Sequence, residues 1–234
     1  MTHANYAHYS APNYLYVKDA NNGTELWRRL IEPVPNGGAV NPCIWNNRVY
    51  VAGLDSQKIY CWDAETGDVC DNFPIDVEGE MRSIPIIEDG VIYIGTGAWK
   101  FYAIDAVTGQ KIWVYNTQEA ITNAAAIWED KIYFGGKDSR LYGLYKATGE
   151  NVTGYPTAYG LTVARQVQVS AGNGYVFTNR AVVDANNGSN IWWHPSCCVG
   201  SSGSVSHAYN YRSTTIGENE FIGVYGTSNA IVVY

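Results

Sequence analysis

The sequence predicts an all-β chain, a β-propeller of four-stranded antiparallel blades with four complete blades between two partial terminal ones. Three observations predict it. A glycine-closed turn recurs at Gly23, Gly67, Gly109, Gly149 and Gly188, with spacings of 44, 42, 40 and 39 residues, the length a four-stranded blade occupies. Seven residues ahead of the glycine stands Tyr16, Tyr60, Tyr102 or Tyr142, and only Ala181 breaks the series. Composition agrees: 19 tyrosines, 8 tryptophans and 24 glycines accompany only 16% charged residues, and aromatic runs broken by glycine suit strands better than helices.

The turns read Asp19-Ala-Asn-Asn-Gly23, Asp63-Ala-Glu-Thr-Gly67, Asp105-Ala-Val-Thr-Gly109, Tyr145-Lys-Ala-Thr-Gly149 and Asp184-Ala-Asn-Asn-Gly188. Glycine closes such a hairpin because it accepts a positive φ that a Cβ resists. Aspartate at the head hydrogen-bonds the backbone N–H groups that follow. Beyond the turn comes the outer strand, where Trp27, Trp113 and Trp192 stand four residues after their glycines. The two intervening turns carry aromatic-proline pairs instead, Phe73-Pro74 and Tyr155-Pro156. Odd and even repeats therefore alternate. Either device lays a large apolar side chain over the gap between neighbouring blades.

Ahead of each hairpin lies another strand: Val49-Tyr-Val-Ala-Gly53, Ile92-Tyr-Ile-Gly-Thr96, Ile132-Tyr-Phe-Gly-Gly136 and Tyr175-Val-Phe-Thr178. Inner strands are expected earlier still, over Val40–Ile44, Arg82–Ile86, Thr122–Ala126 and Arg165–Val169, where small or polar residues suit a crowded channel. The first repeat begins within its second strand, Asn5 to Ser10. The last runs through Phe221–Tyr225 and Ala230–Tyr234, one residue short of its turn. We read residues 1–234 as a single propeller domain. Two readings of its ragged phase stay open: a window of a longer propeller, or edges closed by each other or by another chain.

The stretch Ile92-Tyr-Ile-Gly-Thr96 through Tyr102-Ala-Ile-Asp-Ala-Val-Thr-Gly-Gln-Lys-Ile-Trp113 resembles the PQQ-like β-propeller repeat. That repeat occurs in quinoprotein alcohol dehydrogenases and in non-catalytic relatives such as an outer-membrane assembly lipoprotein. The likeness runs over about residues 5–234. It speaks for fold more than for function, because the repeat builds scaffolds with unrelated tasks.

One segment invites a chemical reading: Trp192-Trp-His-Pro-Ser-Cys-Cys-Val-Gly-Ser-Ser-Gly-Ser-Val-Ser-His207. It joins an outer strand to the next inner one, at a mouth of the channel. Cys197 and Cys198 are adjacent and able to close into a strained disulfide ring. Methanol-dehydrogenase-like quinoproteins carry such a pair beside their quinone, so the resemblance implies a cofactor contact for Cys197 and Cys198, with PQQ and calcium as cofactors. The acidic and arginine residues that follow the pair in that family are replaced here by Val-Gly-Ser-Ser-Gly, and no set of calcium ligands transfers. A loop held by the ring, two free thiols, and a metal site using His194, one of these cysteines and His207 are the other readings. Spacing alone is weak support for a metal, since zinc sites favour Cys-x-x-Cys or His-x-x-x-His.

Cys61 and Cys70 flank the hairpin at Gly67 and fall opposite each other on counting outward from the turn. A Cys61–Cys70 bridge and a pair of buried thiols both fit opposed positions, and Cys43 is left over. Sequons at Asn22, Asn151 and Asn187 sit beside turns, as turn composition alone would place them. With the cysteines they tilt the reading toward an extracytoplasmic protein, periplasmic or secreted. The start of the chain has neither the basic head nor the apolar run of a leader.

A net charge of −7 offers no basic stripe for nucleic acid, and no apolar run is long enough to span a membrane as a helix. No phosphate loop, nucleophile elbow or Ser/His/Asp order is found, and no catalytic residue is assigned. The sequence therefore favours a non-catalytic scaffold for a protein partner, a surface, or self-association through open blade edges. Its ligand-binding residues are expected at the channel mouth: Asn41, Arg82, Asn123, Arg165, Gln166 and His207. The alternative is part of a PQQ-dependent alcohol or sugar dehydrogenase.

Overall fold

The computed structural model describes residues 6–10, 14–19, 21–31, 42–54, 56–158, 169–178, 181–193, 222–225 and 230–233. Every element named among them is a strand, and each sheet is antiparallel with its strands in chain order. The first blade holds β1 (Tyr6–Ser10), β2 (Tyr14–Lys18) and β3 (Glu25–Leu30). The second holds β4 (Cys43–Trp45), β5 (Arg48–Ala52), β6 (Lys58–Asp63) and β7 (Ile75–Asp76). The third is β8 (Ile86–Glu88), β9 (Val91–Gly95), β10 (Lys100–Asp105) and β11 (Lys111–Asn116). The fourth is β12 (Ala126–Trp128), β13 (Lys131–Gly135), β14 (Arg140–Tyr145) and β15 (Thr157–Ala158). The fifth is β16 (Val169–Gly172), β17 (Tyr175–Thr178), β18 (Ala181–Asp184) and β19 (Asn190–Trp193), and β20 (Ile222–Tyr225) pairs with β21 (Ala230–Val233). Four four-stranded sheets thus stand between a three-stranded and a two-stranded one, as the spacing of turns predicts.

The turns are built as their sequences require. Gly23, Gly67, Gly109, Gly149 and Gly188 all lie between φ 70° and 75°. Asp105 Oδ1 accepts from the N–H groups of Val107 and Thr108 at 2.9 and 2.7 Å and from the Thr108 hydroxyl at 2.9 Å. The Thr108 N–H bond is the main reason its carboxyl sits below the usual range, and Thr66 does the same for Asp63. A depressed carboxyl pKa stabilises the fold fully above the unfolded value of about 3.9, and that stability is lost as pH falls through the folded value. Asp105→Asn should therefore flatten the acid limb of a melting-temperature profile taken below about pH 4. An unchanged limb would count against the turn as its origin.

Hydrophobic clusters form between successive blades. Val49, Val51 and Trp62 of the second blade pack on Leu15, Val17 and Trp27 of the first. Equivalent clusters join the second to the third, the third to the fourth and the fourth to the fifth. The seams alternate. From odd to even blades, Trp27 Nε1 donates to the Ala64 carbonyl at 3.0 Å and Trp113 Nε1 to the Lys146 carbonyl at 2.8 Å. From even to odd blades, a tyrosine hydroxyl takes over: Tyr50 donates to the Ala106 carbonyl and Tyr133 to the Ala185 carbonyl, both at 2.8 Å. On the same even-to-odd seams, Trp45 lies over Gly90 and Trp128 over Gly174.

The expected inner strands begin later than the sequence suggests. Pairing starts at Cys43, Ile86, Ala126 and Val169, the fourth or fifth residue of each expected segment. The physical reason is visible in the second-to-third and third-to-fourth connectors. Met81 N–H donates to Leu54 and Ile121 N–H to Thr96, both at 3.1 Å, so these residues bond to hairpin loops instead of a neighbouring strand. Pro85 has no N–H to offer a ladder.

Cys61 and Cys70 are disulfide-bonded, across a register in which Trp62 pairs with Val69. Counting outward from Gly67 gives that register directly. Cys43 is the free thiol among the described residues, and burial pushes it up to about 12. The thiolate, its reactive form, is thereby disfavoured at neutral pH.

Candidate binding face on the blade connectors

The second-to-third and third-to-fourth connectors, each running from an outer strand to the next inner strand, are tied on both sides. Between the second and third blades, the Glu80 carbonyl accepts from Gly97 N–H at 2.7 Å while Met81 N–H donates to Leu54. Between the third and fourth, the Ala120 carbonyl accepts from Lys137 N–H at 2.9 Å while Ile121 N–H donates to Thr96. The repeated tyrosine adds a further tie: Tyr102 Oη accepts from Glu78 N–H at 3.2 Å, and Tyr142 Oη from Gln118 N–H at 3.4 Å. Tyr142 in turn donates to Asp138 Oδ2 at 2.5 Å. Burial raises the pKa of both phenols, so they stay protonated and able to donate. The tyrosines that precede the Gly109 and Gly149 turns thus fasten the connectors entering their own blades.

On this fixed backbone, alternate side chains are released to solvent. Met81, Ser83 and Pro85 are buried, while Arg82 and Ile84 are exposed. Arg82 Nε donates to Glu80 Oε2 at 2.8 Å. Trp99, in the loop tied to the same connector through Gly97, is 50% exposed and sits at φ 65°. An exposed tryptophan held in a left-handed conformation is unusual. Around the rim, Lys58 pairs with Asp76 at 2.6 Å and Lys100 with Glu78. The Lys100 bond holds the Glu78 carboxyl below its usual range, and Glu78 raises Lys100.

Asn123 sits on the next connector, where its carbonyl accepts from the buried Ser83 hydroxyl at 2.9 Å. Its Nδ2 is buried with no hydrogen-bond partner among the described residues. The structure therefore brings the segments of Arg82 and Asn123 side by side, linked through Ser83. Asn41, Arg165, Gln166 and His207 lie outside the described residues, as do Cys197, Cys198 and His194 with their expected ring or metal site. Sequence reasoning missed Glu80, Ile84 and Trp99. Trp99 falls outside every repeated tryptophan position, which was the available signal.

A family model described as outer membrane protein assembly factor BamB matches residues 13–210. BamB from Moraxella catarrhalis superposes with a TM-score of 0.68 at 16% identity, covering 95% of this chain and 67% of that one. The computationally designed Ika8 protein gives 0.56 at 14% identity, over 100% of this chain and 81% of its own. Both likenesses concern the fold. Quinoprotein ethanol dehydrogenase of Pseudomonas putida is 40% identical over 81 residues, 31% of this chain and 13% of the enzyme. Its counterpart from Pseudomonas aeruginosa is 28% identical over 142 residues, 49% of this chain and 23% of the enzyme. The matched stretches cover under a quarter of either dehydrogenase.

Proposed function

The chain belongs to the PQQ-like β-propeller family described as outer membrane protein assembly factor BamB, and from that premise we propose that it is a non-catalytic scaffold that binds a protein partner through its connector face. The observation that carries this reading is the exposed Trp99 beside the Glu80–Arg82 pair, on backbone tied to both neighbouring blades. Tryptophan and arginine dominate the energetics of protein interfaces. A preorganised backbone also spares the ordering cost of binding. Ile84 adds apolar surface. The Cys61–Cys70 bond and the family's BamB-type description support an extracytoplasmic setting. Among the described residues no helix is long and apolar enough to cross a membrane.

The test is partner capture from an envelope extract, with photo-crosslinking to identify what is bound. Trp99→Ala and Arg82→Ala should each weaken capture on the order of tenfold without moving the unfolding midpoint. Undiminished capture by both variants would remove this face from the reading.

A second reading is part of a quinone-dependent dehydrogenase, favoured by the 40%-identical stretch shared with the P. putida enzyme. PQQ would supply the oxidising chemistry and calcium its Lewis acid. The residues named for it, Cys197 and Cys198, lie outside the described residues. Among the described ones, no three His, Cys, Asp or Glu side chains gather to hold a metal ion. Calcium, which favours carboxylate oxygens, finds no cluster of three of them among the described residues. Protein dialysed against PQQ and calcium is expected to stay colourless and inactive in dye-linked alcohol oxidation. A stoichiometric bound chromophore would move it to the enzyme class.

A further inference from the structure

Three Asn-x-Ser/Thr triplets, at Asn22, Asn151 and Asn187, have no part in the connector face, and the fold presents them differently. Asn22 and Asn187 hold the same place in twin turns, Asp19-Ala-Asn-Asn-Gly23 and Asp184-Ala-Asn-Asn-Gly188. Asn22 Oδ1 accepts from Thr24 N–H at 2.9 Å and from the Thr24 hydroxyl at 2.7 Å. Asn187 Oδ1 accepts from Ser189 N–H at 2.8 Å. Both turns are closed locally, Gly23 N–H donating to the Asp19 carbonyl at 2.8 Å and Gly188 N–H to the Asp184 carbonyl at 2.9 Å. Asn22, Thr24, Asn187 and Ser189 are exposed, and the middle residue of each triplet is a glycine with no side chain to bury. Contact with a neighbouring blade does not change this. The Gly154 carbonyl lies 2.8 Å from the Cβ position of Gly188, yet Asn187 and Ser189 stay exposed.

Asn151 is exposed as well, but its triplet is built into a sheet. Asn151 bridges to Leu144. Val152, the middle residue, is 0% exposed and belongs to the cluster between the fourth and fifth blades. Its N–H donates to the Gly143 carbonyl at 2.8 Å, and its carbonyl accepts from Tyr155 N–H at 3.0 Å. An enzyme that takes hold of Asn151-Val-Thr153 must draw that valine and both bonds out of the core. The twin turns ask for no such opening.

We propose that Asn22 and Asn187 are attachment sites for asparagine-linked glycans, and that the fold withholds Asn151. The triplet is the acceptor such transfer requires, on a surface loop of an extracytoplasmic chain, and the Cys61–Cys70 bond supports that setting. The donor is an oligosaccharide carried on a polyprenyl diphosphate. A bond forms between asparagine Nδ2 and the first sugar carbon as the bond from that carbon to the diphosphate oxygen breaks. The diphosphate leaves with the electron pair, and Nδ2 gives one proton to a base of the transferase. The site is separate from the connector face. β10 runs from Lys100, next to Trp99, to Asp105 at the head of its turn, and β2 and β18 lead into the twin turns in the same sense. Glycans there leave Trp99 and Arg82 clear.

Transfer to the purified, folded full chain tests this. The chain is incubated with an oligosaccharyltransferase and a polyprenyl-diphosphate oligosaccharide, then digested and read by mass spectrometry at the three asparagines. Free peptides 18–26, 147–155 and 183–191, treated alike, give the rate each triplet shows without the fold. Relative to their own peptides, Asn22 and Asn187 in the folded chain should each be modified about tenfold faster than Asn151. Thr24→Val should abolish transfer to Asn22 and leave Asn187 unchanged. Asn151 keeping pace with either turn would overturn the proposal. So would peptides that accept the sugar while both turns of the folded chain refuse it. Partner capture by Trp99 and Arg82 has no bearing on this readout.

Discussion

Trp27→Ala should lower the stability of the first two blades by roughly 3–5 kcal/mol, the largest loss expected of any single truncation described above. Trp27 is 7% exposed and lies in the cluster that joins Leu15 and Val17 to Val49, Val51 and Trp62. Truncation removes its area from that seam, opens a cavity over Gly67 and leaves the buried Ala64 carbonyl without the indole N–H it accepts. A lost partner for a buried acceptor adds about 1–3 kcal/mol, which is why the upper half of the range is the better expectation. Repeat architectures transmit stability between neighbours, so the loss should concentrate at the first seam. Hydrogen exchange resolves this: amides of β2, β5 and β6 should lose protection while those of β13 and β14 keep theirs. Trp99→Ala is the control. That ring is half exposed, and its removal should change stability by no more than about 0.5 kcal/mol. Equal losses for the two tryptophans would mean that the seams are not what holds the blades together.

The turns were legible because their chemistry is local. A positive φ, an aspartate that serves its own following N–H groups and a fixed offset to an aromatic residue can all be counted along one strand pair. The Cys61–Cys70 register was legible for the same reason, since Gly67 fixes which residues oppose. Alternation of Trp27 and Trp113 with the aromatic-proline pairs also showed in the sequence. The complementary tyrosines did not. Tyr50, Tyr93 and Tyr133 occupy matching places in β5, β9 and β13, yet only Tyr50 and Tyr133 reach a carbonyl of the next blade. Trp113, on the outer strand of Tyr93's own blade, makes that bond on the third-to-fourth seam. Which side chain crosses a seam depends on both sheets, and periodicity along one chain does not encode it. The inner strands were placed too early for a related reason. Just ahead of the expected strand at Arg82, the backbone bonds of Glu80 and Met81 go to loops of two different blades. The candidate face was half legible: Arg82 and Asn123 were expected, whereas Trp99 is distinguished only by its exposure and its φ.

Gly67→Ala should cost roughly 3 kcal/mol, while Gly23→Ala should cost about 1–2 kcal/mol, although the two turns have nearly the same backbone. Both glycines lie at positive φ, 70° and 75°, so both substitutions pay the left-handed strain of an L-residue. They differ in what the new methyl meets. At Gly67 it would stand 2.7 Å from Trp27 Cδ2 and 2.8 Å from Cγ, with Arg29 Nη2 at 3.0 Å. The ring is held by its bond to Ala64 and cannot retreat without losing it. Overpacking of that kind adds about 1–3 kcal/mol. At Gly23 the methyl meets no described atom, and only the backbone term remains. Chemical denaturation of the two variants reads the difference. A double variant carrying Trp27→Ala and Gly67→Ala then isolates its cause: with the ring gone, alanine at 67 should cost no more than alanine at 23, a coupling on the order of 1–3 kcal/mol. Strict additivity of the two substitutions would place the cost in the turn itself and deny that the seam is built on the glycine.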